Sequence, residues 1–203
     1  MQDIDTLYNN SKNIYSDISQ HVPTLKNYAS QVSSIAEFGV RGTNNSTHAF
    51  IKGLIESTSD KKSYIGVDIK PVTINYMEDI ANHYNIDFKF IVADSAKVDI
   101  PKVDILFIDS WHVYAHLKRE LAKHHSIVKK YIIMHDTTVD EWVGETIRNK
   151  WDSKQQSIDT GYPEEEINKG LWPAIEEFLK EHPEWVLKER FTNNNGLTVL
   201  SRV

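Results

Sequence analysis

The 203-residue chain contains no cysteine. That absence removes disulfide bonds, thiolate nucleophiles and thiolate metal sites, and it suits a reducing compartment. There is no basic block either: Lys+Arg 23 against Asp+Glu 29 leaves a formal net charge of −6. This argues against an extended nucleic-acid footprint, while a local pocket for a small nucleotide remains compatible with it. No apolar run approaches the roughly 20 residues needed to cross a bilayer. The opening Met1-Gln-Asp-Ile-Asp-Thr6 is acidic and polar, unlike a secretory signal peptide. The expectation is a cytoplasmic protein with neither nucleic acid nor membrane as partner.

What the chain does have is alternation. Its length suits one domain spanning residues 1–203 with room for a core. Short β-branched runs at 34–40, 64–69, 88–93, 103–108 and 131–134 read as strands, with helices expected at 44–58, 71–85, 112–129 and 171–182. Pro71 sits where a first-turn proline is tolerated. Two further helices, within residues 1–33, rest on Ile4, Leu7, Ile14 and Ile18 and then on Leu25, Tyr28 and Val32. Strand–helix alternation predicts an α/β fold with a mostly parallel sheet and helices on both faces. The continuous apolar run Ile105-Leu-Phe-Ile108 fits a central strand buried on both sides. Strands at 185–191 and 196–201 are separated only by Thr192-Asn-Asn-Asn195, so this last pair must run antiparallel.

The first strand leads into Glu37-Phe-Gly-Val-Arg-Gly42 and then a new helix. Gly39 and Gly42 permit a tight turn, and the helix start behind them directs unpaired N–H groups into it. Open α/β sheets bind ligands at this carboxyl edge. Acidic residues close the later strands. Asp68 either accepts hydrogen bonds from vicinal ribose hydroxyls or caps the helix that follows, and Asp94-Ser95 either meets an adenine or caps a turn. Asp109 ends the fourth strand with His112 three residues on, and the fifth ends in His135-Asp136. Neighbouring strands would bring Asp109, His135 and Asp136 together as metal ligands or an acid–base group, or they act simply as caps and turn formers. His112 and His116 have a helical zinc spacing but lack a third ligand nearby, and His124-His125 reads as a solvated pair offsetting the helix dipole.

Together, Glu37–Gly42, Gly66-Val-Asp68, Ala93-Asp94, Phe107-Ile-Asp-Ser-Trp-His112 and Met134-His-Asp136 resemble the class I S-adenosylmethionine-dependent methyltransferases. The resemblance runs from about residue 34 onward. It is nearest the small O-methyltransferase branch, which includes sugar and macrolide O-methyltransferases and the cephalosporin-hydroxylase-like and rhamnosyl O-methyltransferase-like proteins. It implies a Rossmann-like sheet with an antiparallel C-terminal hairpin. It also implies methyl transfer from S-adenosylmethionine to a hydroxyl of a small-molecule or glycan acceptor.

By this resemblance Glu37, Gly39, Arg41, Gly42, Asn45 and Ser46 would hold the amino-acid end of the cofactor. Asp68 would take the ribose, Asp94 and Ser95 would border the adenine, and Asp109 would close the pocket. Asp109, His135 and Asp136 would bind a divalent metal, Mg or Mn, and His112 with Asp109 would be catalytic, His112 as general base. Residues 140–169 read as a lid insertion, with Trp142, Trp151, Tyr162 and Trp172 in or beside it as sugar platforms or as packing. The N-terminal helices read as a second cover or a homo-oligomer face. Two other functions compete: a non-catalytic binding protein on the same scaffold, and an NAD-dependent oxidoreductase. Gly39-Val-Arg-Gly42 does not fit the Gly-x-Gly-x-x-Gly pattern of the latter.

Overall fold

The computed structural model describes residues 2–203. In chain order the elements are α1 (Ile4–Asn13), α2 (Val22–Ala29), β1 (Ser34–Phe38), α3 (Asn45–Glu56), β2 (Lys62–Asp68), α4 (Asn75–His83) and β3 (Ile86–Val92). These are followed by β4 (Val103–Ile108), α5 (Tyr114–His124), β5 (Val128–His135), α6 (Glu145–Arg148), α7 (Ser153–Thr160), α8 (Glu164–Asn168) and α9 (Trp172–Glu181). The antiparallel pair β6 (Trp185–Phe191) and β7 (Leu197–Arg202) completes them. The seven strands form one sheet in the order β3-β2-β1-β4-β5-β7-β6. The first five run parallel, and β7 enters antiparallel to β5.

Each face of the sheet carries its own core, as the two-residue side-chain period of a doubly covered sheet requires. Ile35, Ile105, Phe107, Ile133 and Val199 point to one side and pack with Leu25 of α2, Phe50 and Leu54 of α3, and Met77 and Ile80 of α4. Ala36, Phe38, Leu106, Ile108, Ile132, Met134 and Leu200 point to the other and meet Leu117 and Leu121 of α5 and Ile175 and Phe178 of α9. The run Ile105–Ile108 therefore feeds both cores, and β4 is buried along its whole length.

Two helix boundaries differ from the sequence reading. Residues 69–74 do not open a helix at Pro71: Ile69 and Lys70 run along the rim of a cleft before α4 begins at Asn75. The stretch expected as one helix from 112 to 129 is helical only at 114–124, then makes a 3-10 turn at 125–127. Val128 ends it because it pairs with Val103 at the start of β5. Residues 140–169 form no strand of the sheet; they fold into α6, α7 and α8. Among the described residues no helix is long and apolar enough to cross a membrane.

Candidate functional site

A cleft of about 670 Å³ opens at the carboxyl ends of β1, β2, β3 and β4. Each of these strands delivers a predicted residue to it: Gly39 and Arg41 after β1, Asp68 at the end of β2, Asp94 and Ser95 after β3, and Asp109 after β4. Trp151, Gln156 and Tyr162 from the 140–169 segment line the opposite side. Arg41 also reaches Asp17 in the α1–α2 connection at 3.1 Å.

The turn after β1 works because Gly39 adopts φ +87° and lies flat against the backbone of Asp109 and Ser110. Its N–H donates to Val67 O, and Asp109 N–H donates to Phe38 O, which locks three strand ends side by side. Asp68 holds its own turn by accepting from the Lys70 N–H at 2.8 Å. Its side chain otherwise stands at the cleft wall; the helix it was expected to cap begins only at Asn75, so its bond serves the local turn alone.

Glu37, Gly42, Asn45 and Ser46 do not line the cleft. Glu37 is completely buried and accepts hydrogen bonds from the hydroxyls of Ser46, Tyr64 and Thr47, the last at 2.9 Å. Asn45 Nδ2 donates to Ser16 Oγ at 3.3 Å. Glu37, Asn45 and Ser46 thus brace the start of α3 beneath the turn. Burial pushes the Glu37 carboxyl up to about 7, against the pull of the three hydroxyls. A carboxyl raised on folding stabilises most when protonated in both states, so stability falls as pH rises from about 4.5 to about 7 and is flat above. The shift corresponds to roughly 3 kcal/mol across that window. Glu37→Gln is expected to remove this slope, read as the difference in urea midpoint between wild type and variant at several pH values.

A second network lies behind Ser95. Its hydroxyl donates to Glu120 Oε1 at 2.6 Å and lies 2.9 Å from His116 Nε2, while Ser110 Oγ donates to the same Glu120 oxygen at 2.7 Å. His116 lines the cleft with Trp111, whose ring stacks on Tyr162 at 6.2 Å and 18°. Burial opposes the charged form of His116, but Glu120 outweighs it and raises the imidazole. His124, expected in solvent, is buried and its Nε2 bonds Ser95 O at 2.8 Å, so it supports this wall rather than the helix dipole. Among these residues Glu120 and Trp111 were missed, since nothing in local spacing marks them.

The acidic cluster is arranged around His112. Its ring is only 3% exposed and is absent from the cleft lining. Nε2 is 3.1 Å from Asp109 Oδ1, and Nδ1 is 2.9 Å from Asp136 Oδ2, 3.4 Å from Asp140 Oδ2 and 3.5 Å from Glu145 Oε2. No carboxylate oxygen lies along the Nδ1–H direction, so these approaches are ionic rather than hydrogen bonds. Burial disfavours the imidazolium, but Asp109, Asp136, Asp140 and Glu145 together raise His112 well above its ordinary range. Burial likewise opposes the Asp109 carboxylate, and His135 with His112 outweighs it, holding Asp109 far below the usual range. In this arrangement the four carboxylates favour the charged form of His112, and its ring stands behind Asp109 rather than on the cleft surface.

His135 sits on Asp109 at 3.2 Å through Nδ1, and its Nε2 faces the carbonyl oxygens of Asp17 and Asn194 at 3.1 and 3.3 Å. Donors of Asp109, His112 and Asp136 converge within 4.8 Å, as do those of His112, Asp140 and Glu145, and His135 Nδ1 also stands 3.2 Å from Asp109 Oδ1 and 3.6 Å from Asp136 Oδ1. His112 Nδ1 and Asp136 Oδ1 are buried without hydrogen-bond partners. Two carboxylates, an imidazole and two orphaned polar atoms fit a divalent cation. Arg148 offsets part of the remaining charge by gripping Asp140 with two bonds of 2.6 and 2.8 Å. Asp140, Glu145 and Arg148 lay outside the sequence motifs; only the four-residue step from Asp136 to Asp140 hinted at one of them.

No protein-family model matches the sequence, and no functionally curated protein matches it. Solved structures do. A Staphylococcus aureus protein provisionally assigned as a caffeoyl-CoA O-methyltransferase superposes with a TM-score of 0.61 at 15% identity, covering 100% of this chain and 93% of its own. The O-methyltransferase from Bacillus cereus, in complex with S-adenosylhomocysteine, gives 0.60 at 13%, covering 100% and 92%. The Burkholderia thailandensis 1,6-didemethyltoxoflavin-N1-methyltransferase, with 1,6-didemethyltoxoflavin and S-adenosylhomocysteine bound, gives 0.58 at 8%, covering 98% and 85%. At these identities the likeness is one of architecture: the chain has the Rossmann-like fold of the class I S-adenosylmethionine-dependent methyltransferases.

Proposed function

We propose that the protein transfers the methyl group of S-adenosylmethionine to a hydroxyl oxygen of a small molecule, a sugar or glycan hydroxyl among the candidates. The observation that carries this reading is the cleft itself, in which Gly39, Asp68, Asp94, Ser95 and Asp109 converge from four adjacent strand ends. S-adenosylmethionine would supply an electrophilic methyl carbon on a sulfonium that is already a good leaving group. Gly39 and Arg41 would face its amino-acid end, Asp68 would accept from both ribose hydroxyls, and Asp94 with Ser95 would border the adenine.

The acceptor would enter between Asp109 and Glu145, the carboxylates that line the cleft from β4 and from α6. Asp109 would orient the acceptor from the β4 side, leaving the single proton of the reacting hydroxyl to Glu145. Glu145 replaces His112 as our candidate for the group that takes the proton, a service typically worth about 10²–10⁴-fold. Asp109, His112 and Asp136 would hold a divalent ion, which in that place lowers the pKa of the acceptor oxygen and directs it. The 140–169 segment acts as the lid, with Trp151 and Tyr162 shielding the reacting centre from water.

A thermal-shift titration with S-adenosylmethionine and S-adenosylhomocysteine, with NAD(H) as control, tests the reading. Binding to the folded state must raise the melting temperature as ligand passes its Kd. Stabilisation by S-adenosylhomocysteine and not by NAD(H) is expected; a response to NAD(H) alone would turn the assignment to hydride transfer. Asp68→Ala is expected to weaken S-adenosylhomocysteine about 10–100-fold, the cost of losing hydrogen bonds to a charged acceptor, with the melting temperature of the free protein little changed. Isothermal titration reads both numbers.

A further inference from the structure

At the sheet edge opposite the cleft, where β5 and β6 begin, three side chains converge. His125 lies in the 3-10 turn after α5, His182 closes α9, and Glu184 directly precedes β6. Glu184 Oε1 is 3.3 Å from His182 Nδ1 and 3.7 Å from His125 Nδ1. One donor atom from each of the three lies within 4.8 Å of the other two. The imidazole centroids are 4.0 Å apart, and Phe178 packs on both rings.

His125 Nδ1 is buried and has no hydrogen-bond partner, a state that costs free energy unless something satisfies it. In a tetrahedral zinc site with ligands at ~2.0–2.1 Å, adjacent ligand atoms are about 3.3 Å apart. The two separations to Glu184 are close to that edge length before any side chain moves. Two imidazoles and a carboxylate select a transition metal over Mg²⁺, which asks for oxygen. With side-chain exposures of 17%, 27% and 37%, the three ligands are held by packing yet reachable from solvent.

We propose that His125, His182 and Glu184 form a Zn²⁺ site with its fourth position open to water. The ion would pin the α5–β5 corner to the α9–β6 corner, and so fasten the antiparallel pair to the parallel part of the sheet. This site is independent of the methyl-transfer reading, because it lies at the other end of the strands.

The test is equilibrium dialysis of the whole protein against Zn²⁺ with metal quantification, repeated with Co²⁺ to read the intense visible absorption of a tetrahedral site. His182→Gln and Glu184→Gln are each expected to remove one equivalent of bound Zn²⁺, or to weaken it at least about tenfold, the loss that outer-shell partners alone can cause. The tetrahedral Co²⁺ absorption should vanish with it while far-UV circular dichroism stays unchanged. Asp136→Asn, which removes a donor from the cleft, is expected to keep that absorption. Uptake and Co²⁺ spectrum unchanged by both His182→Gln and Glu184→Gln, or no uptake by the wild type, would overturn the proposal.

Discussion

Gly39→Ala is expected to cost about 4 kcal/mol or more of stability and to abolish S-adenosylhomocysteine binding in whatever protein remains folded. A Cβ built at Gly39 falls 1.9 Å from Asp109 O and 2.4 Å from Asp109 C, well inside contact distance and against backbone that cannot rotate away. The φ of +87° adds strain of its own for a side-chain-bearing residue. Relief requires β1 to separate from β4, which the Asp109 N–H to Phe38 O bond opposes, while the Gly39 N–H to Val67 O bond holds the same turn against β2. Losses of this size belong to a short class of mechanisms, and a main-chain collision in the sheet's centre is one of them. The urea midpoint and the loss of the ligand-induced melting shift measure the two halves of the result. A variant within about 1 kcal/mol of wild type would mean that the two strand ends are not in contact.

His112→Ala, measured with a chelator present, is expected to lose about 3–5 kcal/mol, the usual consequence of stripping a buried charge cluster of its counter-ion. Asp109, Asp136, Asp140 and Glu145 would then face one another with His135, Arg148 and Arg41 as the cations near them. The pH dependence has a definite sign. In the wild type the depressed Asp109 carboxyl contributes stability that is present above its ordinary range and is lost as pH falls through its lower folded value. Removing His112 lets the carboxylates take up protons earlier, so the penalty shrinks as the solution is acidified. Chemical denaturation of both proteins at neutral and mildly acidic pH reads the difference. A general base with a free nitrogen would behave otherwise, losing turnover while leaving stability nearly intact.

The legible part of this protein was whatever is written into consecutive residues. The apolar run of β4 and the asparagine-rich link after β6 placed β4 and β6 to the residue and β7 within one, because burial on two faces and a short connection leave little choice. The carboxylates closing β2 and β4 were found for the same reason: they end apolar runs. Helix ends were harder. Pro71 suggested a first helical turn, but the stretch Ile69-Lys-Pro-Val-Thr-Ile74 is rich in β-branched residues that favour helix weakly, and Ile69 and Lys70 follow the cleft rim instead.

In the site, Glu37 was found and its neighbours misplaced. Its carboxylate turns inward to Tyr64 and Thr47, and the direction of a side chain at a strand end depends on what the next strand offers. Glu145 and Arg148 gave no signal at all. They reach the cluster from a segment whose path is set by packing on α5 rather than by its own sequence pattern. His112 illustrates the limit most sharply: its position beside Asp109 was evident, while its protonation depends on Asp136, Asp140 and Glu145, none of them its neighbour in sequence.

The link between β6 and β7 also has a temporal meaning. Asn194 accepts from the Gln20 N–H and donates to Ser16 O, Asn193 donates to Gln20 Oε1, and the Asn193 carbonyl meets His21 Nε2. These contacts join residues 172 to 178 positions apart. During synthesis the α1–α2 connection leaves the ribosome well before the β6–β7 link that it meets. Contacts of such separation are slow to form and leave early segments exposed meanwhile. The α1–α2 connection is therefore completed only after the later β6–β7 link has formed.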